Sequence, residues 1–313
     1  MKKKSILAIV LTMLCISIMA LSACGTNKTT DDSNNDKVAS GTTEKDESDT
    51  QETGKEKENY SNPDAVAEMT DEQGIVYKVN DEKTAYWADL SNMTSTEIVI
   101  KDMIDGLPVT TTNTTVVNIA DLEFRGTITS IKIPETVNSI GHYSFYQCSG
   151  LTEITIPEGV TVIPEGAFQG CSGLTTVNLP NSLIKIGQSA FESCKFTSIT
   201  IPNGVEKIGT SAFGHCDFTD IIIPDSVTEI GRHAFYASNL TSITIPDSVT
   251  KIGNQAFWYC QNLTSATIPN SVTEIGEGIF DNCSALKTVY VDKGAYAEEY
   301  VKTNYPDISI EYK

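Results

Sequence analysis

The chain has 313 residues and a formal net charge of −19, with 41 acidic against 22 basic side chains. That length suffices for one large domain or two small ones. Nucleic-acid binding needs clustered Lys and Arg against phosphate. The chain has no basic stripe beyond its extreme N-terminus, so its composition argues against nucleic acid as a partner.

The N-terminus reads as a targeting signal, residues 1–23. MKKK is a positive start and SILAIVLTMLCISIMA the apolar run behind it. The run ends in Leu21-Ser22-Ala23-Cys24, which resembles the lipobox of bacterial lipoproteins. The resemblance implies cleavage before Cys24, a diacylglycerol on its sulfur and an acylated new amino terminus. It makes a membrane the first expected partner, and the extracytoplasmic face of a bacterial envelope the expected location. One acyl chain binds weakly, at about 0.8 kcal/mol per buried methylene, so stable anchoring takes two or more. Residues 24–71 follow as an expected disordered, acidic tether. Residues 25–72 hold fourteen acids against five Lys and almost no apolar side chain. Such a stretch buries too little surface to offset its ordering entropy.

Residues 72–127 read as an N-terminal cap. GIVYKVNDEKTAYWAD alternates apolar and polar residues on both sides of Asn80-Asp81-Glu82-Lys83. That predicts a β-hairpin with a four-residue turn. TEIVI, residues 96–100, predicts a further strand. IDGLPVT looks like a degenerate repeat, and residues 111–124 break the rhythm and predict a longer loop. A solenoid needs such a cap because its first coil otherwise exposes its core.

Residues 128–291 repeat. Prolines stand at 134, 157, 180, 202, 224, 246 and 269, at intervals of 22 or 23. Eleven residues after each stands a Phe, from Phe145 to Phe280, and six after each an Ile, from Ile140 to Ile275. Seven after each is Gly, except Pro164. A fixed period of this length predicts a solenoid in which stacked coils share one core. In LTSITIPDSVTKIGNQAFWYC, Ile243-Thr244-Ile245 predicts a strand with both Ile inward, paired in parallel with its neighbours about 4.8 Å away. Pro246 ends the pairing, since it has no N–H to donate. Gly253 is expected to take a backbone angle that other residues resist.

This motif, L-T-S-I-T-I-P-x-S-V-T-x-I-G-x-x-A-F-x-x-C, resembles the BspA-like, or Treponema pallidum-type, leucine-rich repeats. The resemblance covers over half the chain. It implies a right-handed repeat solenoid with a parallel β-sheet on one face, mostly β with short helical or turn segments, on a surface-exposed bacterial protein. Residues 292–313 resemble the cap such domains carry, a short helix and a final strand. Members of the family are linked to adhesion.

Six cysteines, at 148, 171, 194, 216, 260 and 283, lie three residues after their Phe, and Ser238 fills the slot in the remaining coil. Same-slot residues point the same way a coil apart, whereas a disulfide needs Cβ atoms about 3.8 Å apart and converging. The expectation is a row of buried free thiols donating to loop carbonyls, with pairing or a metal as the alternative. His142, His215 and His233 occupy three different slots and are not expected to converge. No nucleophile–base constellation or phosphate loop is readable. No enzyme activity, cofactor or metal is therefore expected.

Binding surfaces remain. The residues between the strand Ile positions form a hydroxyl-rich face, which Thr on exposed strands explains without any ligand. One slot beyond the core Phe, Tyr236 and Trp258 stand in adjacent coils with Tyr259 beside them. Exposed, these three make an aromatic ligand-binding patch; otherwise they cover the flank or pack on each other. The functional expectation is a surface lipoprotein whose solenoid binds a protein or glycan, adhesin-like. The alternative is an envelope-organising spacer with no specific soluble ligand.

Overall fold

In the computed structural model, which describes residues 62–113 and 124–313, the hairpin read from alternation is formed by β2 (Val76–Val79) and β3 (Tyr86–Asp89). Its turn closes with Lys83 N–H donating to Asn80 O at 3.0 Å. The Asn80 side-chain oxygen takes the N–H of Thr84 at 2.8 Å. A preceding strand, β1 (Glu68–Thr70), pairs antiparallel with β2. It falls inside the segment expected to be tether. There Ala65 is buried and Met69 packs against the core, apolar side chains that the surrounding polar composition had masked. The signal segment, Cys24, tether residues up to 61 and residues 114–123 lie outside the described residues.

β4 (Glu97–Val99) follows, then β5 (Met103–Ile104) and β6 (Leu107–Asn113). IDGLPVT is thus a hairpin in its own right, turned by Asp105 and Gly106 at positive φ. β6 extends into the segment expected as loop, because Thr111 and Thr112 pair in parallel with the first coil.

The coils carry two rows of parallel strands. The first row is the expected one: β7 (Ser130–Lys132), β9 (Glu153–Thr155), β11 (Thr176–Asn178), β15 (Ser242–Thr244), β17 (Ser265–Ile268) and β19 (Thr288–Val291). Ile243 and Ile245 are buried and Thr244 is exposed between them. The second row stands after the prolines: β8 (Ser139–Ile140), β10 (Val162–Ile163), β12 (Lys185–Ile186), β13 (Lys207–Ile208), β14 (Glu229–Ile230), β16 (Lys251–Ile252) and β18 (Glu274–Ile275). From β10 to β18 it forms an unbroken parallel sheet, whereas the first row is interrupted between β11 and β15. The two coils without a first-row strand are those in which Phe196 and Phe218 replace the core Leu. Both rings are fully buried and wedge edge-on against the main Phe column.

The Phe column stacks from Phe145 to Phe280 with centroids 5.1–5.8 Å apart. The glycine slot has a different cause from the one expected. Gly209, Gly231 and Gly253 do not sit at positive φ. A Cβ on Gly231 would lie 2.6 Å from Gly209 C, and one on Gly253 2.4 Å from Arg232 N. These glycines let successive backbones touch. The left-handed residues are instead two columns flanking the Phe, including Ser189, Ser211, His233 and Gln255 on one side and Ser193, His215, Ala237 and Tyr259 on the other.

The chain closes with α1 (Tyr296–Asn304) and β20 (Ser309–Tyr312), which pairs in parallel with β19.

Candidate functional site

The turns around the Phe column build a third hydrogen-bonded array. In each coil but the last, three alternate N–H groups donate to three carbonyls of the next coil. Phe213, for example, donates to Ala234 O at 2.8 Å, and its flanking residues Ser211 and His215 to Arg232 O and Tyr236 O. The left-handed residues on either side of the Phe turn these groups into line, which fixes where their own side chains leave the surface. The aromatic residues singled out in the sequence stand on this array.

Tyr236, Trp258 and Tyr259 are brought together. Tyr236 and Trp258 have ring centroids 6.5 Å apart and planes 35° apart; Trp258 and Tyr259 are 5.4 Å and 37° apart. Their exposure differs. Tyr259 is exposed, at 45%, and Trp258 is half-buried. Tyr236 is a clasp. Its ring lies over Gly214, where a Cβ would come within 2.1 Å of it. Its hydroxyl donates to Glu192, two coils back. Glu192 also accepts from Gln169 Nε2 at 2.8 Å. Burial, and the Glu192 charge beside it, push the Tyr236 phenol well above its ordinary pKa.

Two of the three histidines flank Tyr236. His215 meets Tyr236 edge-on at 4.6 Å, and His233 lies 5.5 Å from Tyr236 and 6.4 Å from Trp258. They stand in different slots of neighbouring coils. Tyr236 leans back over Gly214 and bridges them. Burial lowers the pKa of both, and His233 Nε2 is 2.8 Å from Gln255 Oε1. The cue in the sequence was the Gly at 214, in a slot that otherwise holds larger side chains.

The six repeat thiols are free and buried. Cys171, Cys194, Cys216, Cys260 and Cys283 each place Sγ 3.1–3.3 Å from a Phe carbonyl of the preceding coil. Ser238 bonds instead to Phe235 O of its own coil at 2.7 Å. Burial pushes Cys148 up to about 11, and Cys171, Cys194 and Cys216 also above their ordinary value. Those four thiols are poor nucleophiles. In the first, degenerate coil the same slot holds Arg125, fully buried. Ile128 N–H donates to Arg125 O at 3.2 Å just as Leu151 N–H donates to Cys148 O at 3.1 Å. Nothing in the repeat pattern signalled this residue. Among the described residues, no group of three His, Cys, Asp or Glu is placed to hold a metal ion.

A family model described as the BspA type leucine rich repeat region matches six copies, over residues 107–217 and 184–301. The chain belongs to the BspA-type leucine-rich repeat family. Among solved structures, this BspA-type chain is similar to a leucine-rich repeat protein from Bacteroides ovatus. The two are 25% identical over 76% of this chain and 75% of that one, with a TM-score of 0.44. It is similar to the T. pallidum leucine-rich repeat protein at 23% identity, over 71% of this chain and 84% of that one, TM-score 0.39. A leucine-rich cell surface protein from Faecalibacterium prausnitzii matches at 22% identity, over 79% and 98%, TM-score 0.29. No curated protein matches. Among the described residues, no helix is long and apolar enough to cross a membrane.

Proposed function

We propose that this chain is a lipid-anchored protein of the bacterial cell envelope, displayed outside the membrane, whose solenoid binds a protein or glycan in the manner of an adhesin. The observation that carries the binding half is the contact between Trp258, half-buried, and Tyr259, exposed, on the turn array. Exposed aromatic side chains in contact concentrate binding energy at little entropic cost. The anchoring half rests on Leu21-Ser22-Ala23-Cys24 at the end of the apolar run. A binding role rather than an enzymatic one is supported by the buried thiols and by histidines that serve as packing for Tyr236.

Binding of the full chain, in detergent, to an array of matrix proteins and glycans tests the first half. The expected result is saturable binding that the double variant Trp258→Ala, Tyr259→Ala loses while its circular dichroism is unchanged. Binding that survives in that variant, or no binding at all, sinks this reading of the surface. Mass spectrometry of the N-terminal peptide tests the second half. An acylated Cys24 is expected, and an unmodified one refutes the anchor.

A further inference from the structure

One dipeptide away from the aromatic patch carries chemistry of its own. We infer that Asn203 is a site of spontaneous covalent modification, deamidating through attack by the backbone nitrogen of Gly204. This goes beyond the binding reading above and does not depend on it.

The turn after each repeat Pro recurs, so the coils supply their own controls. Asn181, Asn203 and Asn270 occupy one slot, directly after Pro180, Pro202 and Pro269. All three are exposed, and their turns close alike. Leu183, Val205 and Val272 each donate N–H to the Pro carbonyl at 3.1–3.2 Å. The residue that follows the Asn differs. It is Ser182 in one coil, Gly204 in the next and Ser271 in the last, and Asn203-Gly204 is the one Asn-Gly pair in the chain. A side chain on the following residue obstructs its nitrogen as it closes on the Asn side chain, and glycine has none.

The restraints differ too. Asn181 is held by Glu158, whose Oε1 accepts from its backbone N–H at 3.1 Å and from its Nδ2 at 3.3 Å. Asn270 donates its N–H to Asp292 Oδ2 at 2.9 Å. Among the described residues, neither the Asn203 side chain nor the Gly204 N–H has a hydrogen-bond partner. Serines in the Gly204 slot tie their turn to the preceding coil, as Ser182 does to Val160 O at 2.9 Å and Ser248 to Val227 O at 2.7 Å. Gly204 lacks that tie. Nor does the turn need glycine for its conformation, since Gly204 is not at positive φ.

The reaction needs only water and base. The Gly204 nitrogen loses its proton and bonds to Asn203 Cγ. The Cγ–Nδ2 bond breaks, ammonia leaves with the equivalent of that proton, and a five-membered succinimide remains. Water then opens the ring at either carbonyl. Opening at Cγ gives Asp with the backbone restored. Opening at the backbone carbon gives isoaspartate, with the chain running through the former side chain. Nothing is oxidised or reduced. Asp fits the slot, as Asp225 and Asp247 show in the next two coils. Isoaspartate adds a methylene to the backbone just before Val205, which is fully buried. Only the second product disturbs the coil.

The test incubates the full chain in detergent in mildly alkaline buffer and maps its peptides by mass spectrometry. Isoaspartate is read by enzymatic methyl transfer to its carboxylate. Asn203 should convert roughly tenfold or more faster than Asn181 and Asn270, because only its attacking nitrogen is unobstructed, and the rate should rise with pH. Gly204→Ser places in the slot the residue that four other coils carry, at 182, 226, 248 and 271. It should bring the conversion of Asn203 down to that of Asn270. The comparison of the three Asn needs no variant, so it holds even if Gly204→Ser folds poorly. Equal conversion at the three sites overturns the inference. So does conversion at Asn203 that Gly204→Ser leaves undiminished. A folded chain that stays unmodified at Asn203, while the same chain in urea is modified there, shows that the fold protects the site and overturns it as well. None of these readouts involves a ligand, so each is separate from the fate of the binding reading.

Discussion

Phe280 donates its backbone N–H to the hydroxyl of Tyr305 at 3.0 Å, and the same hydroxyl donates to Asp281 Oδ1 at 3.1 Å. The turn array points all its N–H groups toward the C-terminal end, so its last coil has donors with no further coil to meet. The opposite end presents carbonyls, and there Arg125 donates to Ser144 O at 2.9 Å. An array of aligned peptide groups needs a donor at its carbonyl end and an acceptor at its amide end, as a helix does. Tyr305→Phe keeps the ring and removes the acceptor. It should cost about 1 kcal/mol, and amide exchange at Phe280 should accelerate more than at Phe235, whose partner Ala256 O is untouched. Equal acceleration along the column would refute a cap.

The glycine slot yields a paired prediction. At Gly231 the obstacle to a Cβ is the backbone of the preceding coil, Gly209 C at 2.6 Å and Thr210 N at 2.7 Å. Backbone cannot swing aside, so Gly231→Ala forces two coils apart and should cost about 3 kcal/mol. Gly106 has φ of +76° and no atom within 4 Å of its Cβ position. Gly106→Ala should cost about 1 kcal/mol, from conformation alone. Urea denaturation of the two variants compares them. A loss at Gly231 no larger than that at Gly106 would refute coil contact as the reason for the slot.

Glu298 ties the elements of the terminal cap to one another. Its carboxylate accepts from Lys302, from Gly294 N–H at 2.6 Å and from Tyr312 at 2.7 Å. The Lys302 contact first, then the other two, pull its pKa down to about 2. A depressed carboxylate stabilises the fold in full above its ordinary value of about 4.3 and loses that contribution as pH falls through the folded value. The link among α1, β20 and the loop before α1 should therefore persist at pH 4 and weaken toward pH 2. Glu298→Gln should give, already at pH 7, the loss of amide protection in β20, relative to the intrinsic exchange rate at each pH, that the parent chain shows only near pH 2. No change in β20 exchange on that substitution would remove Glu298 from the cap.

Much of this architecture was legible because one coil cannot bury its apolar face alone, and the need is written once per coil as Pro, Ile, Phe and Cys. The first strand row followed from Ile243-Thr244-Ile245. The second row did not, because strands of two residues leave no alternation to read; Lys251–Ile252 has one inward side chain and one outward. The glycine slot was visible but misattributed, since a sequence shows that a Cβ is refused and not which neighbour refuses it. The site was half legible. Trp258 and Tyr259 stand where their slots put them. Tyr236 does not, because its direction is set by a glycine one coil back and a carboxylate two coils back. The contacts of His215 and His233 with Tyr236 depend on that same lean. Arg125 was invisible because the first coil departs from the repeat where its end must be capped.

The division of labour between Tyr236 and Tyr259 is the last point open to test. Tyr236 bridges three coils through Glu192, while Tyr259 is free at the surface. Tyr236→Phe keeps the ring on Gly214 and deletes one hydrogen bond to a charged group. It should lower stability by about 1.5–2 kcal/mol and leave ligand binding within about twofold, because the ring face still stands beside Trp258. Tyr259→Ala should do the reverse, with stability within about 0.5 kcal/mol of the parent, as for other exposed positions, and binding lost. Denaturant melts and binding isotherms on the same two preparations separate the roles. If Tyr236→Phe abolished binding without moving the melt, the phenol would belong to the ligand and not to the scaffold.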